Sequence, residues 1–131
     1  MGARYITTDL ILEGGFDFQS LHKEIEQSDL IAQWHQRGEC WLANHGIGPQ
    51  INDPNEGIEF LLDIIEGLSG PGRETWNRLS SRRFDMGFQG EPTHFSREWE
   101  VRSDTLARIV AFQGSLVVTI YRPGKKSSIR T

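Results

Sequence analysis

The sequence predicts an α+β domain built on one mainly antiparallel, five-stranded sheet with helices packed on one face. Three observations carry that prediction. In residues 103–121, apolar side chains at helical spacing (Leu106, Ile109, Val110, Phe112) run straight into an alternating β-branched stretch, Ser115 to Tyr121. In residues 82–88, Phe84, Met86 and Phe88 alternate with Arg83, Asp85 and Gly87; in residues 95–101, Phe95, Trp99 and Val101 alternate with Ser96, Glu98 and Glu100. With Gly90 and Pro92 between them, these two segments are expected to form a hairpin with one greasy and one charged face.

Taken in order, Tyr5 to Leu12 alternates as a first strand and stops at Gly14 and Gly15. A short helix is expected from Phe18 to Gln27, capped by Asp17 and stapled by Phe16 and Leu21, with His22 and Lys23 on its wet side. Ser28 is expected to cap a further turn, and Trp34–His35 to lead into a loop around Gly38. Residues 39–44 are expected to form a second strand. The loop from Gly46 to Asn55 ends in a strong helix start: Asp53 at the cap, Pro54 in the first turn and Glu56 three residues after the cap. Ile58, Leu61, Leu62, Ile65 and Leu68 make the buried stripe of that helix. A short helix carrying Trp76 and Leu79 follows, then the hairpin, then a helix capped by Ser103 and stopped by a left-handed turn at Gly114. The two strand–helix–strand units in this order suggest a ferredoxin-like split βαβ arrangement.

Residues 1–121 read as a single α+β domain, because 131 residues with 37% hydrophobic side chains can fill a core without staples. The lone Cys40 rules out an intramolecular disulfide framework and fits a reducing compartment. No apolar run is long enough to cross a bilayer, and Arg4, Asp9 and Glu13 break up the first fifteen residues, so the expectation is a cytoplasmic protein with no membrane partner. Net charge is −4, yet residues 122–131 hold four of the fourteen Lys and Arg and no acid, and are expected to be a basic, mobile tail. The remaining ten basic residues face eighteen acidic ones. A body that acidic repels a phosphate backbone and argues against nucleic acid as a partner.

The early strand followed by Gly15-Phe16-Asp17-Phe18 and a helix, the strand around Trp41, the helix Ile58–Leu68, and the ending Leu106–Tyr121 together resemble a family of small bacterial proteins catalogued as domain of unknown function 4279. The likeness spans residues 5–121 and lies in fold-maintaining positions. It implies no activity, cofactor or catalytic residue.

Candidate sites are few. His35, Cys40 and His45 are spaced by five, but residues five apart on a strand point to opposite faces about 16 Å from each other. They read as a small buried thiol and two loop histidines, and no metal or cofactor is expected. Gly46-Ile47-Gly48 runs into Pro49 rather than a helix, Gly67-Leu68-Ser69-Gly70 reads as a helix end, and no hydrolase, zinc or nucleotide fingerprint is present. The open face of the sheet is the most informative surface: Tyr5, Asp9, Asp85, Glu98, Glu100 and Tyr121 share it on the expected alternation. That face reads as ordinary solvated surface, as a docking surface steering a basic protein partner, or as general acid–base chemistry by Asp85 with Glu98 or Glu100. The leading expectation is a non-catalytic, immunity-like interaction protein. The alternative is a small-molecule-binding or hydrolytic domain with a pocket lined by Trp34, Trp41, Trp76 or Trp99.

Overall fold

Strand β1 (Ala3–Gly14) is the strand on which the sheet is assembled, with β3 (Cys40–Gly46) antiparallel on one side and β4 (Ser81–Gly90) antiparallel on the other. The computed structural model describes residues 3–28, 30–90 and 96–122. Outside β3 lies β2 (Ile31–Arg37), antiparallel to it; outside β4 lies β5 (Ser115–Tyr121), parallel to it. The order is β2-β3-β1-β4-β5, a mixed sheet in which β1 and β2 run the same way with β3 inserted between them. Four helices complete the described residues: α1 (Gln19–Glu26), α2 (Pro54–Glu66), α3 (Gly70–Arg78) and α4 (Ser103–Ala111). None of them is long and apolar enough to cross a membrane.

Alternation sorts the two faces. Thr8, Leu10 and Leu12 of β1, Ala43 and His45 of β3, and Phe84, Met86 and Phe88 of β4 are buried beneath Leu21 and Ile25 of α1, Ile58, Leu61, Leu62 and Ile65 of α2, Trp76 of α3 and Ile109 of α4. The core therefore sits on one side of the sheet, and removing that apolar surface from water is the main stabilising term. The α2 start forms as its sequence dictates, with Asp53 accepting from the Glu56 amide at 3.0 Å. Ser69 caps α3 in the same way, and Glu24 of α1 accepts from both the amide and the hydroxyl of Ser69, at 2.7 and 2.9 Å. Helix α4 is tied to α2 by Thr105 donating to Glu59 and by Arg108 reaching Asp63 and Glu66.

Five strands are present among the described residues, but one differs from expectation. Residues 96–102 form no strand and β4 makes no hairpin with them; its partners are β1 and β5. Trp99 instead packs against Tyr5 and Phe88 with ring centroids 6.0 and 6.2 Å apart, so the alternation in this segment records an extended stretch lying on the core end without a ladder. The missing strand is β2, where a loop was expected. It joins β3 through Gly38–Glu39, a two-residue turn with Gly38 at φ 63, between the paired residues Arg37 and Cys40.

Smaller corrections have local causes. Phe18 rather than Asp17 is the cap residue of α1, while Asp17 still accepts from the Gln19 amide at 2.9 Å; His22 is buried, not wet. Ser103 opens α4 from within, its cap position being Arg102. The left-handed residue after α4 is Gln113 at φ 61, which leaves Gly114 a different reason to be glycine: a Cβ there would come 2.7 Å from Cε1 of Phe84. Residues 91–95, which include the expected hairpin connection, and residues 123–131 of the expected tail lie outside the described residues.

Candidate binding site

On the open face, a β-bulge does the first work. Tyr5 pairs with Phe88 and Thr7 with Gly87, so Ile6 is the extra residue on β1. The bulge turns Tyr5 into the core, 6% exposed, with its hydroxyl 2.6 Å from Thr8 Oγ1. Burial there pushes the phenol up to about 12. Beyond the bulge, Thr7, Asp9 and Ile11 point to the open side, and Asp9 lies directly opposite Asp85 on β4 and Gly46 on β3.

Two carboxylates facing each other across neighbouring strands repel. Burial holds the Asp9 carboxyl above its usual range, and the charge on Asp85 adds to this, against a hydrogen bond with Asn44 that works the other way. Asp85 in turn accepts from the Thr119 hydroxyl of β5 at 2.7 Å. Gly46 makes the room for Asp9, since a Cβ there would lie 2.7 Å from Asp9 Oδ1. Beside Asp9, on the β3–β2 side and away from Asp85, lies a cavity of about 260 Å³, with Thr7, Asp9, Gln33, Asn44 and Gly46 among its polar and small lining groups and Ile6, Ile31 and Pro49 among its apolar ones. The chemistry it offers is a partly desolvated anionic centre with an apolar rim, suited to the head of a cationic group.

Of the residues expected on the charged face, Asp9 and Asp85 are brought together and Tyr121 is exposed on β5, on the same side. Tyr5 is in the core. Glu98 and Glu100 are off the sheet, bordering an open recess with Arg97 and Trp99. Without a strand at 96–101 they have no register that would place them beside Asp85, and the expected acid–base pairing with it has no basis in the fold. The four tryptophans do not line one pocket. Trp34 packs edge-on to Phe18, Trp41 lies against the core from β3, Trp76 is fully buried with its Nε1–H donating to the Phe112 carbonyl, and Trp99 covers Tyr5.

The spaced trio is likewise separated. His35 and Cys40 fall on the open side of the β2–β3 hairpin, and His45 beneath the helices. The Cys40 thiol donates to Glu13 at 3.0 Å, and that contact raises its pKa, so the thiolate a nucleophile needs is disfavoured. His45 Nε2 is 3.2 Å from Nδ1 of His22, which stacks on Trp34 and points its own Nε2 at Glu26, 3.9 Å away. His45 Nδ1 has no partner. The tautomers that strand no N–H have His45 donating from Nε2 and His22 donating toward Glu26. Burial lowers both imidazoles, His45 to about 4, so the pair is neutral near pH 7. Among the described residues, no cluster of three or more His, Cys, Asp or Glu could hold a metal.

Asn44, Gln33 and Ile6 were not singled out from sequence as site residues, and Gly46, expected to open a loop, is the last residue of β3. The signal that finds part of this is Gly38–Glu39: a Gly-X hairpin turn sets β2 against β3 and places Ile31 and Gln33 beside Gly46 and Asn44, while the nearness of Gly46 and Asn44 to Asp9 comes from the β1–β3 pairing. Compared with models of protein families, with curated proteins and with solved structures, the chain matches none.

Proposed function

We propose that this chain is a non-catalytic, immunity-like binding domain that docks a basic protein partner on the open face of its sheet, with Asp9 and Asp85 receiving a lysine or arginine head. The observation that supports it best is the carboxylate pair itself: Asp9 sits opposite Asp85 and borders the cavity, where like charge is kept at a cost to stability. The cavity, about 260 Å³, falls below the roughly 300–1,000 Å³ of small-molecule sites and suits a side-chain head instead. Glu98, Glu100 and Tyr5 drop out of the contact set. In the same reading, β1–β4 with α1 and α2 form a ferredoxin-like unit extended by α4 and β5, the protein works in the cytoplasm, and the likeness to domain of unknown function 4279 reflects a shared scaffold.

The test is capture from a lysate of the cells that make the protein. A stoichiometric basic protein is expected with the wild type, lost with Asp9→Asn/Asp85→Asn and retained with Glu98→Lys/Glu100→Lys. Recovery of the chain alone, or equal capture by the double Asn variant, overturns the proposal.

A further inference from the structure

The two edges of the sheet are built differently. β2 carries Gln33, His35, Gln36 and Arg37, the polar and charged residues that keep an edge from pairing with another chain. β5 carries no charge: its residues are Ser115-Leu116-Val117-Val118-Thr119-Ile120-Tyr121, and among the described residues it pairs with β4 alone. Its helix-side residues are left in water, Val118 at 54% and Ile120 at 66% exposed.

Helix α4 continues that surface. Thr105 and Arg108 hold it against α2, so Leu106 and Val110, about 100° further round the helix than Thr105 and Ile109 respectively, face away from α2 toward the sheet edge. Val110 is 72% exposed. Nothing in a water-facing role explains a helix flank and an edge strand that are both apolar and adjacent.

We infer that β5 is a self-association edge, pairing antiparallel with β5 of a second copy about a twofold axis through Val118. That register sets Val118 against its own copy, Leu116 against Ile120, Val117 against Thr119 and Arg122 against Gly114, so on the helix side apolar meets apolar and no two like charges meet. Moving the axis to Thr119 would set Arg122 against Leu116, and moving it to Val117 would set Ile120 against Gly114. Leu106, Val110, Leu116, Val118, Ile120 and Tyr121 together expose roughly 600 Å² per chain, against about 800 Å² per partner in an ordinary stable interface. The paired main chains make up the rest. Two five-stranded sheets become one of ten, and the open faces bearing Asp9 lie on the same side of it.

The experiment is the mass of the full chain in solution, by sedimentation or light scattering at micromolar concentration. A dimer of the 14.9 kDa chain is expected. Val118→Lys and Val118→Glu, at a half-exposed site, are each expected to be monomeric with unchanged circular dichroism, and mixing the two is expected to restore the dimer. A wild type that stays monomeric, its edge then free or covered by some other chain, overturns the inference; so does a dimer that survives both substitutions. Should the charged variants not fold, Val118→Cys in a Cys40→Ser background decides: oxidation is expected to give a disulfide-linked dimer, since the facing Cα atoms lie within bridging distance about that axis. Its failure to cross-link is equally fatal.

Discussion

Neighbouring residues of β1 lead to two pairs of like titratable groups that the fold treats in opposite ways. Asp9 points to the open side and meets Asp85; Leu10, next to it, is paired with His45, which meets His22 beneath α1. In the carboxylate pair, charge is kept on the open side of the sheet, and the cost is a raised Asp9 pKa. In the imidazole pair, charge is refused: His45 is fully buried and its pKa falls to about 4. Both shifts begin with desolvation, which disfavours the charged form of either group. They differ in what the surroundings allow. An aspartate at pH 7 sheds its charge only through a large shift, whereas a histidine needs none, so the same burial leaves one pair charged and the other neutral.

The largest test of this contrast is the acid stability of the histidine pair. Between about 6.5 and about 4 the unfolded His45 binds a proton that the folded one excludes, so stability falls as pH drops through that window and is complete above it. The loss from His45 is on the order of 3 kcal/mol by pH 4. The groups packed around it temper this: Glu26 favours a charged His22, and Lys23 opposes it. His45→Leu is expected to flatten urea-unfolding stability across the window while changing it little at pH 7. An unchanged acid slope in the variant would mean that the pair accepts a proton without unfolding.

Much of this frame was legible in the sequence because it rests on local rules. The Asp53–Pro54–Glu56 start, the stripe of α2 and the alternation of β4 and β5 each follow from a period or a cap, and the structure keeps them. What was not legible depends on pairing. β2 has only Ala32 and Trp34 as an apolar side, because an edge strand beside β3 needs no more, so its alternation is faint. Segment 96–102 alternates better than β2 and is no strand, because Trp99 and Val101 are packed by the core end, not by a neighbour in a ladder. One bulged residue, Ile6, was enough to move Tyr5 to the other face, since side chains on a strand have a period of two. Asp9 and Asp85 were found as members of a charged face; that they face each other is a fact of register alone.

A middle-sized effect is expected at Gly46, which belongs to the carboxylate pair without touching solvent chemistry itself. A Cβ at this position would sit 2.7 Å from Asp9 Oδ1, and a two-bond side chain fixed on a central strand has little freedom to retreat. Gly46→Ala should cost about 1–3 kcal/mol in urea unfolding, the usual range for overpacking. In an Asp9→Ala background the same substitution should cost much less, because the atom it strikes is gone. Equal costs in the two backgrounds would locate the need for glycine in the backbone and not in Asp9.

The smallest effect has the clearest sign. Asp9→Asn keeps the shape of the side chain and its reach to Asn44 but removes one of two facing charges, so it should stabilise the fold at pH 7 by about 0.2–1 kcal/mol, the scale of a cross-strand pair. The gain should depend on pH in the direction opposite to that of His45. A carboxyl whose folded pKa lies above its unfolded value contributes stability that is complete below the unfolded pKa and lost as pH rises through the folded one. Acidification therefore relieves the wild type and shrinks its deficit against Asp9→Asn, while the histidine pair weakens both proteins alike. Measured as the difference between the two urea-unfolding curves, the histidine contribution cancels and the carboxylate pair is read alone. A variant less stable than wild type at pH 7 would show that the hydrogen bond with Asn44 outweighs the repulsion from Asp85, and the pair would then be a structural contact instead of an anionic centre held open for a partner.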